Sequence, residues 1–327
     1  GFLGYYFVHF FTKYRNELGI KSIIGLENFL TGNKDWLDQL VEENDFLKLY
    51  KFNIIEDSIG DVPEAGDANI IIHMASIASP TFYRIYPLET VDANITGLRR
   101  LIDFYINKET KAFLFFSSSE IYGDPLPEFI PTPETYRGNV NTMGPRACYD
   151  EAKRFGETLC WIFNHKHQFP VSIARPFNNY GPGMSIHDKR LPADFAKAVV
   201  EDRNLDILSD GTPTRTFCYI SDAITGYLKV LLFDELEAFN IGIDHPEVSV
   251  REFAEMFVSN AREIFDYKGD ITFAESSDKD YMTDNPNRRC PDISKARKML
   301  NYNPNVLVDE GIGRFLEFLK IYNGNLL

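Results

Sequence analysis

The sequence predicts an α/β fold, a doubly wound parallel sheet with a smaller α/β domain attached, and three observations predict it. Short apolar β-rich runs alternate with longer amphipathic stretches over the first half of the chain, as βαβ crossovers require. Those runs are apolar at nearly every position, so helices must cover the sheet above and below. After residue 178 the rhythm gives way to loops rich in Gly, Pro and Asp, which reads as a less regular second unit.

The strands expected in order are 21–26 (KSIIGL), 69–74 (NIIIHM), 111–116 (KAFLFF) and 171–175 (VSIAR). Helical periodicity falls near 2–16, 34–43, 91–106 and 148–167, then near 192–202, 221–234, 249–264 and 308–323. The run 239–243 (FNIGI) reads as a further sheet strand inside the second half. The domain reading is therefore 1–177 for the sheet domain, with a returning segment near 220–243, and 178–219 plus 244–327 for the smaller domain. Internal repeats and low-complexity tracts are absent from the sequence.

Composition excludes several function classes. The chain has 327 residues, and at about 150 residues per domain that length accommodates two. Its 34 basic and 48 acidic residues leave a net charge of −14, which repels a phosphate backbone and argues against a nucleic-acid partner. Cys148, Cys160, Cys218 and Cys290 form no CxxC pair, so neither a zinc site nor a disulfide framework is expected. Reduced thiols point to a cytoplasmic location. No apolar run approaches the ~20 residues of a membrane helix, and the opening GFLGYYFVHFF has no basic leader, so neither an anchor nor a signal peptide is expected. The absence of an initiator Met suggests that residues precede Gly1.

Gly1-Phe-Leu-Gly4 followed by an apolar helix has the form of the end of a glycine-rich dinucleotide loop, where bare backbone lets a pyrophosphate reach a helix N-terminus. GxxG alone is a weak signal. Glu27 strengthens it, closing an apolar strand 23 residues after Gly4. A carboxylate there grips a ribose 2′-hydroxyl and repels a 2′-phosphate, which favours NAD over NADP.

Tyr149 and Lys153 are four apart in CYDEAKRFGETL, so a helix places them on one face. An ammonium beside a phenol stabilises the phenolate and predicts a base that works near neutral pH. About 30 residues earlier, the run 115–123 (FFSSSEIYG) ends a buried strand in serines and a glutamate. Ligands in open α/β sheets bind at the carboxyl ends of strands, so Ser118, Ser119 and Glu120 are expected to face the same crevice. Serines capping their own backbone would explain the serines alone.

Taken together, GFLG, Glu27, HMASIASP (73–80), SSSEIYGDP (117–125), NVNTMGPRACYDEAKR (139–154), ARPFNNYGP (174–182), DGTPTRTFCYISD (210–222) and NRRCPDISKA (287–296) resemble the extended short-chain dehydrogenase/reductases, the NAD-dependent epimerase/dehydratase family. The closest likeness is to its UDP-glucuronate decarboxylase (UDP-xylose synthase) branch. The resemblance implies a Rossmann domain, NAD as cofactor and a UDP-sugar substrate. It implies that Ser118 hydrogen-bonds the sugar O4, Tyr149 removes the O4 proton and Lys153 holds the nicotinamide ribose. It also implies that Glu120 and Arg289 handle the sugar carboxylate and the reprotonation of C5. Along the cofactor it aligns Gly1, Gly4, Glu27, Asn28, Phe29, Thr31 and, at the adenine, Asp57; along the substrate, Ser119, Asn178, Arg190, Arg215 and Arg289.

Departures from the decarboxylase pattern cluster in substrate contacts. Gly183 replaces the usual Arg after GP, Arg137 a common Trp, HDKR (187–190) a DGR, and Asp194 an Asn. A 4,6-dehydratase or 4-epimerase of the same family is the alternative reading; Ser119 stands where a dehydratase wants an Asp, and an epimerase has no need of Glu120 or Arg289. A non-catalytic NAD sensor is the remote alternative, which the joint presence of Ser118, Tyr149 and Lys153 argues against. His165 and His167 lie about 200° apart around a helix and do not suit one metal. The sequon Asn94-Ile-Thr96 reads as part of a helix. The helices near 91–106 and 148–167 are expected to pair across a two-fold axis in a homodimer, as the family does.

Overall fold

The computed structural model describes residues 1–32 and 37–322. The chain opens with α1 (Phe2–Lys13), a short α2 (Arg15–Leu18), β1 (Ile23–Glu27), α3 (Asp38–Glu42), β2 (Leu47–Lys51) and β3 (Ile70–His73). Helices α4 (Pro80–Ile85) and α5 (Pro87–Asp92) follow, and a π-helical turn over Ala93–Gly97 leads into α6 (Leu98–Tyr105). Then come β4 (Ala112–Phe116), the long α7 (Ala147–His167) and β5 (Val171–Pro176).

The four strands read from the sequence are all present. β2 was not among them: LKLYK alternates lysines with apolar residues and lacks the continuous apolar run of a central strand. The helix expected near 34–43 is described only from α3 onward, since 33–36 lie outside the described residues. The helix expected near 91–106 begins earlier, at Pro87, where proline suits a first helical turn.

The second half runs β6 (Asn179–Tyr180), α8 (Leu191–Val200), β7 (Leu205–Ile207), β8 (Thr214–Arg215), β9 (Cys218–Tyr219), α9 (Ile220–Leu231) and β10 (Ala238–Ile241). It continues through β11 (Val248–Ser249), α10 (Val250–Phe265), β12 (Ile271–Phe273), β13 (Arg288–Arg289), α11 (Ser294–Leu300) and α12 (Val308–Ile321). The main sheet is parallel in the order β10-β5-β4-β3, with β1 and β2 as a separate parallel pair. The strand at FNIGI thus returns to the main sheet, Phe239 opposite Ala174.

Strand β4 shows why helices lie on both faces. A strand sends alternate side chains to opposite sides. Phe113 and Phe115 pack with Leu101 and Ile102 of α6 and Leu159 and Phe163 of α7. Leu114 and Phe116 join Phe7 of α1 and Tyr227 of α9. Burying each such side chain contributes about 1.5–3 kcal/mol. α7 sits so close to β4 that a Cβ on Gly156 would lie 2.5 Å from the Phe115 ring. That close approach sets the first turns of α7 beside the carboxyl end of β4.

In the second half, β8 pairs with β11 on one side and β13 on the other, which brings Arg289 into register with Arg215.

Candidate active site

At the end of β4 the chain changes from strand to a tight turn. Ser118 is extended, and its hydroxyl oxygen accepts the backbone N–H of Glu120 at 3.2 Å, capping the 3₁₀ turn Ser119–Tyr122. Gly123 closes the turn at φ 63°, with the carbonyl oxygen of Asn139 only 2.0 Å from where a Cβ would stand. Only glycine fits there. Ser117 turns to the other side, donating to Glu157 of α7 at 2.5 Å. Glu157 also receives both arms of Arg175 at 2.8 and 2.6 Å, which ties α7 to β5 behind the site.

Opposite this turn, Arg146 at the N-cap of α7 and Tyr149, Asp150 and Lys153 in its first two turns are all buried. The Tyr149 ring stacks on Tyr83 of α4 at 5.1 Å. Lys153 Nζ donates to the Phe116 carbonyl at 2.6 Å and lies 5.6 Å from the centre of the Tyr149 ring. Glu120 is held from two directions. Arg289 reaches it as a fork, Nη1 to Oε1 and Nη2 to Oε2 at 2.6 Å, and Arg146 Nη2 donates to Oε2. The structure therefore brings Ser118, Glu120, Tyr149, Lys153 and Arg289 into one crevice at the carboxyl end of the sheet.

The electrostatics of this crevice follow from the burial of its side chains. Burial alone would push the Glu120 carboxyl up, but the guanidiniums of Arg146 and Arg289 outweigh it and hold it at about 2. Asp150 goes the other way: burial, then the negative charge of Glu120, push its carboxyl to about 8 against the pull of Arg146 and Arg289. Burial pushes the Tyr149 phenol to about 12, although the Ser118 hydrogen bond opposes the rise. Lys153 is depressed by burial to about 7. The expected lowering of the phenol by its neighbouring ammonium is thus absent in the protein alone, because desolvation acts on both groups more strongly than they act on each other.

The residues aligned with a cofactor collect around β1. The Glu27 carboxylate accepts the Phe29 backbone N–H at 3.1 Å on Oε1 and lies 3.0 Å from the Gly1 nitrogen on Oε2. Asn28 Oδ1 accepts the Leu30 N–H at 3.0 Å, Phe29 has φ 60°, and Thr31 is exposed on the same loop. Asp57, past the end of β2, accepts the Asn53 N–H at 2.6 Å. Gly4 leaves the first turn of α1 open, its nearest neighbour in the Cβ direction being the Met74 methyl at 3.8 Å.

The residues aligned with a nucleotide have partners of their own. Arg190 forks onto Asp188, with Nη2 to Oδ2 at 2.9 Å. Arg215 donates to the Pro286 and Asn287 carbonyls at 2.5 and 3.1 Å, and burial together with Arg289 depresses it to about 9. Asn178, at φ 36°, donates to the Thr216 carbonyl at 2.9 Å. Ser119 is buried in the turn beneath Ser118.

Sequence reasoning gave no role to Arg146 or Asp150, although both stand in GPRACYDE. Their spacing of four, on either side of Tyr149, was the available signal. Among the described residues no cluster of three or more His, Cys, Asp or Glu side chains is placed to hold a metal ion, and no helix is long and apolar enough to cross a membrane.

UDP-glucuronic acid decarboxylase 5 of Arabidopsis thaliana is 34% identical over 325 residues, which cover 99% of this chain and 88% of that one. The crystal structure of DesIV, a dTDP-glucose 4,6-dehydratase from Streptomyces venezuelae with NAD and TYD bound, superposes with a TM-score of 0.84 at 19% identity, covering 99% of this chain and 95% of that one. A UDP-glucose 4-epimerase from Thermotoga maritima with UDP-glucose superposes at 0.82 and 21% identity, covering 98% and 96%. The family described as the NAD dependent epimerase/dehydratase family matches residues 1–242. With its sheet, its Tyr149–Lys153 helix and that match in hand, the chain belongs to the NAD dependent epimerase/dehydratase family.

Proposed function

We propose that this protein is an NAD-dependent decarboxylase of UDP-glucuronate that works through transient oxidation of the sugar at C4 and releases UDP-xylose. The observation that carries the reading is Glu120 locked to Arg289 beside Ser118 and Tyr149. A fork of guanidinium N–H groups suits a carboxylate, and this one lies within the reacting crevice. The Arabidopsis relative carries the same activity in its name.

The residues present fit NAD. Helix α1 starts at Phe2 with no side-chain cap on its first N–H groups, the arrangement that accepts a pyrophosphate. The Glu27 carboxylate stands at the end of β1 for a ribose hydroxyl, with Asn28, Phe29, Thr31 and Asp57 following towards the adenine. Lys153, with one hydrogen bond to Phe116, has the donors to hold the nicotinamide ribose. When bound there, NAD would supply the reversible hydride chemistry at C4 of the sugar.

The protein's own groups do the rest. In its phenolate form Tyr149 would take the O4 proton as the sugar is oxidised, and Ser118 would hold O4. The C4 ketone lies β to the C5 carboxylate, so carbon dioxide leaves while hydrogen bonds around O4 hold the enolate charge. Arg289 and Glu120 position the carboxylate and direct a water to reprotonate C5. Asn178, Arg190, Arg215 and Ser119 line the substrate side, the two arginines by exchanging present partners for diphosphate oxygens. In this reading 1–177 with the segment near 220–243 binds NAD, and 178–219 with 244–327 binds the UDP-sugar.

Exposed apolar side chains on α5 and α7, Leu88, Phe155, Trp161 and Ile162, support a homodimer formed through these helices. The four unpaired thiols support a reducing, cytoplasmic compartment. The test of the activity is incubation with UDP-glucuronate and NAD, followed by product mass. Loss of carbon dioxide without net NADH is the expected result. An unchanged mass with inverted C4 would make the protein an epimerase, and no turnover with tight NAD binding would make it a sensor.

A further inference from the structure

The helix that presents Tyr149 and Lys153 carries a carboxylate further along the same face. Glu157 stands four residues after Lys153, as Lys153 stands four after Tyr149, so α7 lines up phenol, ammonium and carboxylate along one side. Two consecutive residues at the end of β4 receive the last two. Lys153 Nζ donates to the Phe116 carbonyl at 2.6 Å, and the Ser117 hydroxyl donates to Glu157 Oε1 at 2.5 Å. Arg175 of β5 closes on Glu157 from behind, Nε to Oε1 at 2.8 Å and Nη2 to Oε2 at 2.6 Å. Its remaining nitrogen, Nη1, donates to the Tyr122 hydroxyl at 2.7 Å and to the Glu134 carbonyl at 3.0 Å, while Tyr122 donates to Asn240 Oδ1 of β10 at 2.8 Å. Glu157 and Arg175 thus join α7 to the turn that carries Ser118 and Glu120, and a buried network whose members all have partners holds its parts rigidly.

We propose that Glu157 is a positioning residue of the reaction: pinned by Ser117 and Arg175, it seats the helix of Tyr149 and Lys153 on the end of β4 and supplies the negative charge that supports the Lys153 ammonium. This rests on the reading above for what Tyr149 and Lys153 do to sugar and cofactor; the seating of Lys153 itself does not depend on the substrate. Lys153 is buried with a carbonyl as its hydrogen-bond partner, and a carbonyl does not neutralise charge. A buried ammonium needs an anion within reach.

The charged and titratable groups facing Lys153 are His73 from β3, Tyr149, Glu157 and Cys160 from α7 and, behind Glu157, Arg175 from β5. Burial depresses Lys153 to about 7, against an upward pull from Cys160 and then from Glu157. Burial also raises the Cys160 thiol well above its ordinary value and pushes His73 down to about 3. Near neutral pH both are therefore uncharged, and Glu157 is the anion that opposes the fall.

The test follows Lys153 in the free protein by NMR of ¹³C-ε-lysine, with Lys153→Met identifying the signal, in a Tyr149→Phe background so that no phenol titrates beside it. Glu157→Gln keeps an acceptor for Ser117 and removes the charge, and it is expected to lower the Lys153 midpoint by about one pH unit. Should the unpaired Arg175 prevent folding, Arg175→Met is added to remove the ion pair as a whole, and the same fall is expected. A midpoint that stays in place or rises in the folded variant overturns the proposal. With Tyr149 present, Glu157→Gln is expected to lower kcat about 10- to 100-fold with little change in KM for UDP-glucuronate, because Glu157 lies behind the crevice, and Glu157→Asp is expected to restore part of the loss. Wild-type kcat in a folded Glu157→Gln protein also overturns the proposal. Because the titration needs no turnover, it separates from the activity assay: a midpoint that falls in a protein that releases no carbon dioxide overturns the decarboxylase reading and leaves the support of Lys153 by Glu157 standing.

Discussion

Arg289 grips both carboxylate oxygens of Glu120, although the two residues stand 169 positions apart, one on a short strand of the second half and the other in the turn after β4. That fork links the turn at the carboxyl end of β4 to the short strand β13 of the second half.

Replacing Arg289 by lysine keeps the charge and removes the fork. Charged hydrogen bonds of this kind contribute about 1.5–3 kcal/mol each, so Arg289→Lys is expected to lower kcat/KM for UDP-glucuronate about 10- to 100-fold. Steady-state kinetics check this, and an unchanged kcat/KM would place the substrate carboxylate elsewhere.

Removal of the Tyr149 hydroxyl takes away the proposed proton acceptor. Tyr149→Phe is expected to lower kcat by about 10²- to 10⁴-fold, while NAD affinity, read by calorimetry, stays within a few-fold of wild type. Near-normal turnover would remove Tyr149 from the proposed role.

The two buried carboxylates should leave opposite marks on stability against pH. Glu120 is held below its ordinary 4.5, at about 2, by its arginines, so it stabilises the fold above pH 4.5 and loses that contribution as pH falls through about 2. Asp150 is raised from 3.8 to about 8, so the folded state binds the extra proton and stability falls as pH rises between those values. Asp150→Asn is therefore expected to raise Tm progressively from pH 4 to pH 8, and Glu120→Gln to lower it at pH 7. Thermal melts across that range check both signs.

Gly156 lets α7 lie against Phe115, and an added methyl meets that ring at 2.5 Å. Gly156→Ala is expected to cost about 1–3 kcal/mol by overpacking and to lower kcat by shifting Tyr149 and Lys153 off the end of β4. Denaturant unfolding and kinetics on the same sample report the two effects.

The proposed dimer face is tested by charge. Trp161→Asp combined with Phe155→Asp is expected to give a folded monomer by sedimentation velocity, because two carboxylates would be buried without partners in the helix pairing. A dimer that survives both changes uses another face.

What the sequence disclosed depended on how local the signal was. The apolar runs at 111–116 and 171–175, the serines after β4 and the Tyr149–Lys153 spacing each lie within a few residues, where periodicity determines orientation. β2 escaped because its lysines break the apolar run. The clamp on Glu120 escaped because its partners, Arg146 and Arg289, are 26 and 169 residues away, and no spacing rule connects a turn, a helix start and a strand of another sheet. The direction of the Tyr149 shift could not be read from its neighbour Lys153, since the outcome depended on how deeply both groups are buried, a property of tertiary packing.

In the proposed reaction the hydride that leaves C4 comes back to the same carbon. UDP-glucuronate deuterated at C4 tests it most directly. The expected product is a UDP-pentose that has lost carbon dioxide and still carries the deuterium at C4; a pentose with hydrogen at C4, or a hexose that keeps its carboxylate, would rule out that return.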